Sequence, residues 1–185
     1  MELFKPFWRE QPFSEKEKEL LGLLFQAHYQ SVFRPNVSTE AVKGAALGSG
    51  DYTKSIAAAL MTLGSLHAPV VQAVSLLSTD FPARIAHSIL DAGQKIPGWG
   101  SSFHRGEIDP IWKPLEAWLA VNHAEMSAKL ETVSLILEGR GKKIRPNPGA
   151  YTAATAIILG MPAKLAPWLF VQGRLAGWSE LFLHV

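Results

Sequence analysis

The chain reads as an all-α protein, with a single helical domain over residues 14–185 behind a short N-terminal extension at residues 1–13. Two observations predict this. Apolar residues recur at three-to-four spacing in one segment after another, and no alternating β-branched run exceeds a few residues. The punctuation then sets the elements in order. Ser14 with Glu17 forms an S-x-x-E capping box that opens a helix carrying Leu20, Leu23, Leu24 and His28 on one face. Arg34-Pro35-Asn36 stops it, and Ser38 is placed to cap the next helix. Gly48-Ser49-Gly50-Asp51 is a turn, after which a small-residue helix is expected to run to His67. Gly44 and the alanines at 57 to 59 predict close helix–helix approach in this part of the chain. Pro69 begins another segment; Thr79 and Pro82 start one more, which Asp91-Ala92-Gly93 closes. Asp109 before Pro110 combines an N-cap with a first-turn proline, and the helix beyond turns Trp112, Leu115, Trp118 and Leu119 inward. Residues 123 to 138 form an amphipathic helix ended by Gly139-Arg140-Gly141. Residues 151 to 171 are apolar enough to imitate a membrane span. Gly160-Met161-Pro162, Lys164 and Pro167 divide them into two helices of a soluble protein instead.

Composition narrows the functional classes. A chain of 185 residues holds one well-buried core, and 48% apolar against 18% charged residues implies a large buried fraction or an oligomer surface. Six tryptophans point the same way, to a homodimer or a hetero-oligomer with a related chain. A formal charge of +2 argues against a nucleic-acid partner. The absence of cysteine excludes disulfides and thiolate chemistry. Met1-Glu2-Leu3-Phe4-Lys5 has no apolar signal region, so the expectation is a cytoplasmic protein with no membrane partner. His87, His123 and His184 lack metal-ligand spacing, and no metal is assigned.

Three stretches carry a more specific signal. The first is Ile96-Pro97-Gly98-Trp99-Gly100-Ser101-Ser102-Phe103-His104 with Asp109-Pro110 behind it. The second is Asn36-Val37-Ser38-Thr39 followed by the run from Ala57 through Leu63-Gly64-Ser65-Leu66-His67. The third is Pro146-Asn147-Pro148-Gly149-Ala150-Tyr151, then Gly160-Met161-Pro162, then Gly173-Arg174-Leu175-Ala176-Gly177-Trp178. Together and in this order, over about residues 15 to 183, they resemble the P-G-[FYL]-G-H…D-P, N-x-S-T…L-x-G-P-L-H-G and P-N-V-D…G-R-x-x-G-W segments of citrate synthases and citryl-CoA lyases. The resemblance implies that family's helical domain, short of the large N-terminal part of full-length members.

That chemistry needs a carboxylate base to deprotonate the methyl group beside a thioester and a neutral histidine to stabilise the enolate oxygen. A second histidine polarises the acceptor ketone, and arginines grip its carboxylates. By the resemblance, His67 takes the enolate-stabilising position, Arg174 that of a carboxylate-binding arginine, and His28 that of a substrate-binding histidine. Three other positions are altered. Ser101 stands at the acceptor-side histidine, Gly149 at the aspartate base (or the base is deleted, if Gly149 and Ala150 align one place later), and Ile111 where an arginine follows D-P. Ser101 can donate a hydrogen bond but cannot shuttle a proton near neutral pH, and His104 is a candidate substitute. Losing a general base alone costs about two to four orders of magnitude. Pro97, Gly98 and Gly100, with Lys142 and Lys143, are the candidate contacts for a coenzyme A thioester.

The same residues admit plainer readings. His67 could be a core or helix-end histidine, and His104 an exposed loop histidine. Gly98 and Gly100 could simply shape a turn, and the run Arg140, Lys142, Lys143, Arg145 could be a solvated loop. A buried Arg174 needs a partner, either an anionic ligand or a structural carboxylate such as Glu180. Two functions follow from the resemblance. One is an altered C–C lyase or synthase of the transferase type, acting on an acyl-CoA and a carboxylate without conventional citrate synthesis. The other is an inactive structural or regulatory subunit, a pseudoenzyme that keeps the scaffold and its oligomer interface.

Overall fold

A computed structural model of the chain describes residues 8–64, 68–100 and 106–185. Its described residues form nine α-helices and two short 3₁₀ turns, with only an isolated bridge between Trp99 and Pro146 in place of a sheet. Helix α1 is Glu15–Val32, α2 Val37–Ser49, α3 Tyr52–Met61, α4 Val70–Leu77 and α5 Pro82–Asp91. After the 3₁₀ turn Pro110–Trp112 come α6 Lys113–Asn122, α7 Ala124–Gly139 and α8 Pro148–Ile158. The turn Ala163–Leu165 leads into α9, Ala166–Leu183. The all-α expectation is met.

Most of the expected punctuation is where the sequence puts it. Ser14 and Glu17 make a complete capping box, with Ser14 Oγ accepting from the Glu17 amide and the Glu17 carboxylate accepting from the Ser14 amide. Gly50 takes the left-handed conformation that ends α2, and Gly160 does the same between α8 and α9. Asp109 caps the Pro110 turn through the Ile111 amide, and Trp112, Leu115, Trp118 and Leu119 are all buried.

Three local expectations are corrected. Asn36, not Ser38, caps α2: its side-chain oxygen accepts from the Thr39 amide, while the Ser38 hydroxyl donates to that same oxygen. The helix thus starts two residues earlier than the Ser38 reading assumes, with its cap just after Pro35, and asparagine is as good a cap as serine. The small-residue helix stops at Met61, with Thr62 Oγ1 donating back to the Ala59 carbonyl, and does not run to residue 67. Gly44 faces open space rather than a neighbouring helix.

Close approach does occur in this part of the chain, where α3 packs on α2 and buries Ala59, and it occurs again between α1 and α9. A Cβ built on Gly173 would lie 2.6 Å from His28 Cβ, and one on Gly177 would lie 3.0 Å from Val32 Cβ. Glycine at both positions lets α9 lie directly on α1 and bury Trp178 with Val32, Val42 and Ala59.

Helix α8 is the centre of the molecule. Gly149 through Ala156 are buried without a break, so this helix is covered on every side, against α1, α4 and α9. Its small residues Ala150, Ala153, Ala154 and Ala156 allow that packing, and Tyr151 fills the remaining volume by stacking on Trp112 at 5.3 Å. Residues 8–13 are fastened to the helices. Trp8 packs on Phe13 and Trp168, and Arg9 holds Glu17 through two hydrogen bonds of 2.6 and 2.8 Å. No helix among the described residues is long and apolar enough to cross a membrane.

Candidate functional site

The site is built around Arg174, on the face of α9 that meets α1. Its neighbours Gly173 and Phe170 explain the placement: the glycine brings α9 onto α1, and the phenylalanine ring lies 4.3 Å below the guanidinium. Arg174 is only 4% exposed. Burial depresses its pKa to about 10, which leaves it charged near neutrality. Among the described residues no carboxylate pairs with it. Nη1 donates to Asn36 Oδ1 at 3.3 Å and Ser38 Oγ at 3.1 Å, and Nε points at His28 Nδ1 at 3.5 Å. Nη2 donates to none of them. Glu180 is not the partner, because its carboxylate accepts from the Tyr29 hydroxyl. A buried cation compensated only by neutral acceptors is costly and remains short of one counter-charge.

His28 stands behind this arginine. It is fully buried, edge-on to Trp112 at 5.0 Å and Phe170 at 4.6 Å. Burial first, and the Arg174 charge second, hold its pKa well below the usual histidine value, so it is neutral. Its tautomer follows from the neighbours. The Thr152 hydroxyl donates its only proton to the Pro148 carbonyl at 2.7 Å, so it must accept from His28 Nε2 at 2.8 Å. Nδ1 is therefore the unprotonated nitrogen, facing Arg174. Both ring nitrogens are engaged within the protein, and His28 orients the arginine.

The first turn of α8 joins this cluster to the Pro97–Gly100 loop. Thr152 meets His28, and two residues earlier Ala150 lies against Gly98, where a Cβ on Gly98 would come within 3.0 Å of the Ala150 amide nitrogen. Gly98 has φ +86°, so both its conformation and its contact call for glycine. The loop is pinned to residues 145–147: the Gly100 amide donates to the Arg145 carbonyl, the Asn147 amide to the Gly98 carbonyl, and Asn147 Nδ2 to the Gly100 carbonyl. The Gly100 amide is thus engaged, whereas the Gly98 amide has no backbone acceptor among the described residues. Trp99 anchors the loop by donating to Ser134 Oγ.

Gly149, at the position of the missing base, lies in the same turn. A Cβ there would be 3.1 Å from Asn147 Oδ1, the oxygen that accepts from the Gly149 amide. A side chain at 149 would press on this cap, which must give by a few tenths of an ångström to admit it.

The basic run divides in two. Arg140 pairs with Asp91 at 2.6 Å and Arg145 with Glu131 at 3.3 Å, so both are held by carboxylates. Lys142 and Lys143 are exposed and make no ion pair among the described residues, and Lys143 lies under Gly106. Phe170 also lines an apolar cleft of about 220 Å³ with Leu63, Gly64, Ala68, Val71, Gln72 and Pro167. Ala68 holds φ +60°, an uncommon conformation for a residue with a side chain. His67, Ser101 and His104 lie outside the described residues. No grouping of metal-ligating side chains occurs among the described residues.

Of the residues singled out in the sequence, Arg174 and His28 come together, and the glycine loop lies against the same helix α8 that Thr152 joins to His28. Sequence reasoning missed Thr152, Phe170 and Arg34, which the structure places at or beside the cluster. It also missed the roles of Asn36 and Ser38 as acceptors for Arg174. The N-x-S-T pattern names those two residues but not the helix that meets them.

Comparisons with known proteins agree with the helical fold. The family model for the citrate synthase C-terminal domain matches residues 1–181. A comparison with curated proteins returned no match. Among solved structures, citryl-CoA lyase from Hydrogenobacter thermophilus superposes with a TM-score of 0.78 at 22% identity, over 95% of this chain and 71% of that one. Citrate synthase from Thermotoga maritima gives 0.75 at 22% identity, over 96% of this chain and 50% of that one. ATP citrate lyase from Methanosaeta concilii, a D541A mutant in complex with (3S)-citryl-CoA, gives 0.78 at 16% identity, over 96% of this chain and 32% of that one. With its helical fold and a family match across almost its full length, the chain belongs to the citrate synthase family and corresponds to the C-terminal domain.

Proposed function

We propose that the protein binds a coenzyme A thioester and a carboxylate ligand but does not carry out conventional citrate synthesis. The observation that carries this reading is Arg174, a buried cation on an oriented neutral histidine with no carboxylate of the described chain to balance it. A carboxylate at the Nη2 edge would satisfy it through charge-assisted hydrogen bonds. His28 and Thr152 link Arg174 to α8, whose Ala150 lies against Gly98 of the loop. Lys142 and Lys143 stand on the segment to which the loop is pinned, where their charge suits the phosphates of coenzyme A. The neighbour solved with (3S)-citryl-CoA supports the ligand class.

Conventional synthesis is disfavoured for a structural reason. Position 149 carries no base, a side chain there would press on the cap of α8, and by the family resemblance Ser101 stands in place of a histidine and Ile111 in place of an arginine. Turnover by this chain therefore requires chemistry that needs no strong base at residue 149, with His67, Ser101 and His104 as the candidate groups. The lack of a base at Gly149 also favours a second reading, a structural or regulatory subunit that keeps the scaffold and assembles with a related chain.

Calorimetry of the purified chain with coenzyme A and with malate separates the two. The binding reading expects saturable affinity for both ligands and a loss of about tenfold or more in malate affinity in Arg174→Gln, since a hydrogen bond to a charged group is worth about 1.5–3 kcal/mol. Absence of affinity for either ligand would leave the scaffold reading in its place.

A further inference from the structure

Helix α7 carries three polar side chains on one stripe, Glu131, Ser134 and Glu138, at spacings of three and four residues. The two glutamates are about half exposed, and Ser134 between them is buried. None of the three belongs to the Arg174 cluster.

The stripe holds both segments that build the Gly98–Gly100 loop. On one of them, Trp99 Nε1 donates to Ser134 Oγ at 3.1 Å; that hydroxyl directs its own proton to the Leu130 carbonyl, so it can only accept from the tryptophan. On the other, Arg145 Nη1 donates to the two oxygens of Glu131 at 3.3 and 3.4 Å, and Nη2 lies 3.8 Å from Glu138. Between these anchors the backbones are paired. Trp99 bridges Pro146, the Gly100 amide donates to the Arg145 carbonyl at 3.0 Å, and the Asn147 amide donates to the Gly98 carbonyl at 2.9 Å. Arg145 therefore acts at both ends: its side chain grips α7 while its carbonyl fixes Gly100. Gly98 at φ +86° and Gly100 at φ +101° have no side chains to set their own position, so they take it from these anchors.

Resting on the thioester-binding reading, we infer that Arg145 is a positioning residue for the coenzyme A loop, clasped to the Glu131–Ser134–Glu138 face of α7, and is not itself a phosphate ligand. Two carboxylates already meet its guanidinium, and its carbonyl is committed to the loop. The phosphates are left to Lys142 and Lys143 on the same segment. Ion pairs this exposed add little to global stability, so the consequence of the clasp is local: it sets where the loop stands.

The test uses the full chain, coenzyme A as the probe, and variants for which the two possible roles of Arg145 predict opposite signs. Glu131→Gln combined with Glu138→Gln opens the clasp, keeps the Arg145 charge and removes two carboxylates from beside the loop. Positioning predicts that coenzyme A affinity falls about threefold or more by calorimetry, the scale of one or two exposed ion pairs. A phosphate-binding Arg145 would instead gain from losing its competitors, and affinity would hold or rise. Arg145→Gln should weaken binding to a similar degree. Amide hydrogen exchange followed by NMR without ligand gives a second readout. Gly100 and Asn147 should exchange several-fold faster in both variants, while the amides of α8 keep the rates of the unaltered protein. Unchanged or tighter binding in the double variant would overturn the inference and leave the thioester reading in place. So would unchanged exchange at Gly100, or an equal acceleration throughout α8, the pattern of a general loss of stability. Failure of the unaltered protein to bind coenzyme A would remove the thioester reading and this inference with it.

Discussion

At the scale of single residues, two glycines and one arginine decide the site. Gly173→Ala places a methyl group 2.6 Å from His28 Cβ, between two helices that have no slack. The expected loss is about 1–3 kcal/mol of stability, the range for overpacking, read as a lower urea midpoint with an unchanged slope. Gly98→Ala meets a positive φ and the Ala150 backbone together, so it should weaken coenzyme A binding more than His104→Ala does; the reverse order in calorimetry would move the thioester site away from the loop. Arg174 was legible in the sequence because G-R-x-x-G-W sets a cation among apolar residues. Its partners were not. The sequence left an anionic ligand and Glu180 open as alternatives, and only the folded chain shows that Tyr29 engages Glu180 while Asn36 and Ser38 face the arginine. Those contacts span more than a hundred residues, and no local spacing encodes them.

At the scale of elements, helix beginnings were read well because capping is local chemistry. The capping box of α1 gives a pH prediction. Two hydrogen bonds from Arg9 hold the Glu17 carboxyl down to about 2, against a usual value of 4.5. A depressed folded-state pKa contributes stability that is present above the unfolded value and is lost as pH falls from about 4.5 to about 2. The contribution is modest because the pair lies near the surface and is partly screened. Glu17→Gln should therefore lower the melting temperature at pH 7 and bring it closer to the parent's at pH 2; a constant difference across that range would refute the assignment. Helix ends and lengths were read less well. The helix expected to reach residue 67 stops at Met61, because Thr62 returns its hydroxyl to the Ala59 carbonyl, and hydrophobic periodicity gives no sign of such a stop. The central position of α8 was likewise hidden, since an evenly apolar run shows that a helix is buried but not what surrounds it.

At the scale of the whole molecule, three ordered motifs specified the fold, and the family match over residues 1–181 agrees with them. The assembly was read from composition alone. Leu47, Met61 and Leu183 are exposed apolar side chains, and the oligomer is a proposal resting on composition. Light scattering should report a homodimer or, with a related chain present, a heteromer; a monomer at every concentration would count against the first. We propose that this member of the family keeps a carboxylate and thioester site without the base that citrate synthesis needs. The most direct measurement follows coenzyme A release from acetyl-CoA and oxaloacetate by the purified chain. The account predicts no release above the uncatalysed background, with Gly149 standing where the base would be. Robust release with stoichiometric citrate would contradict it.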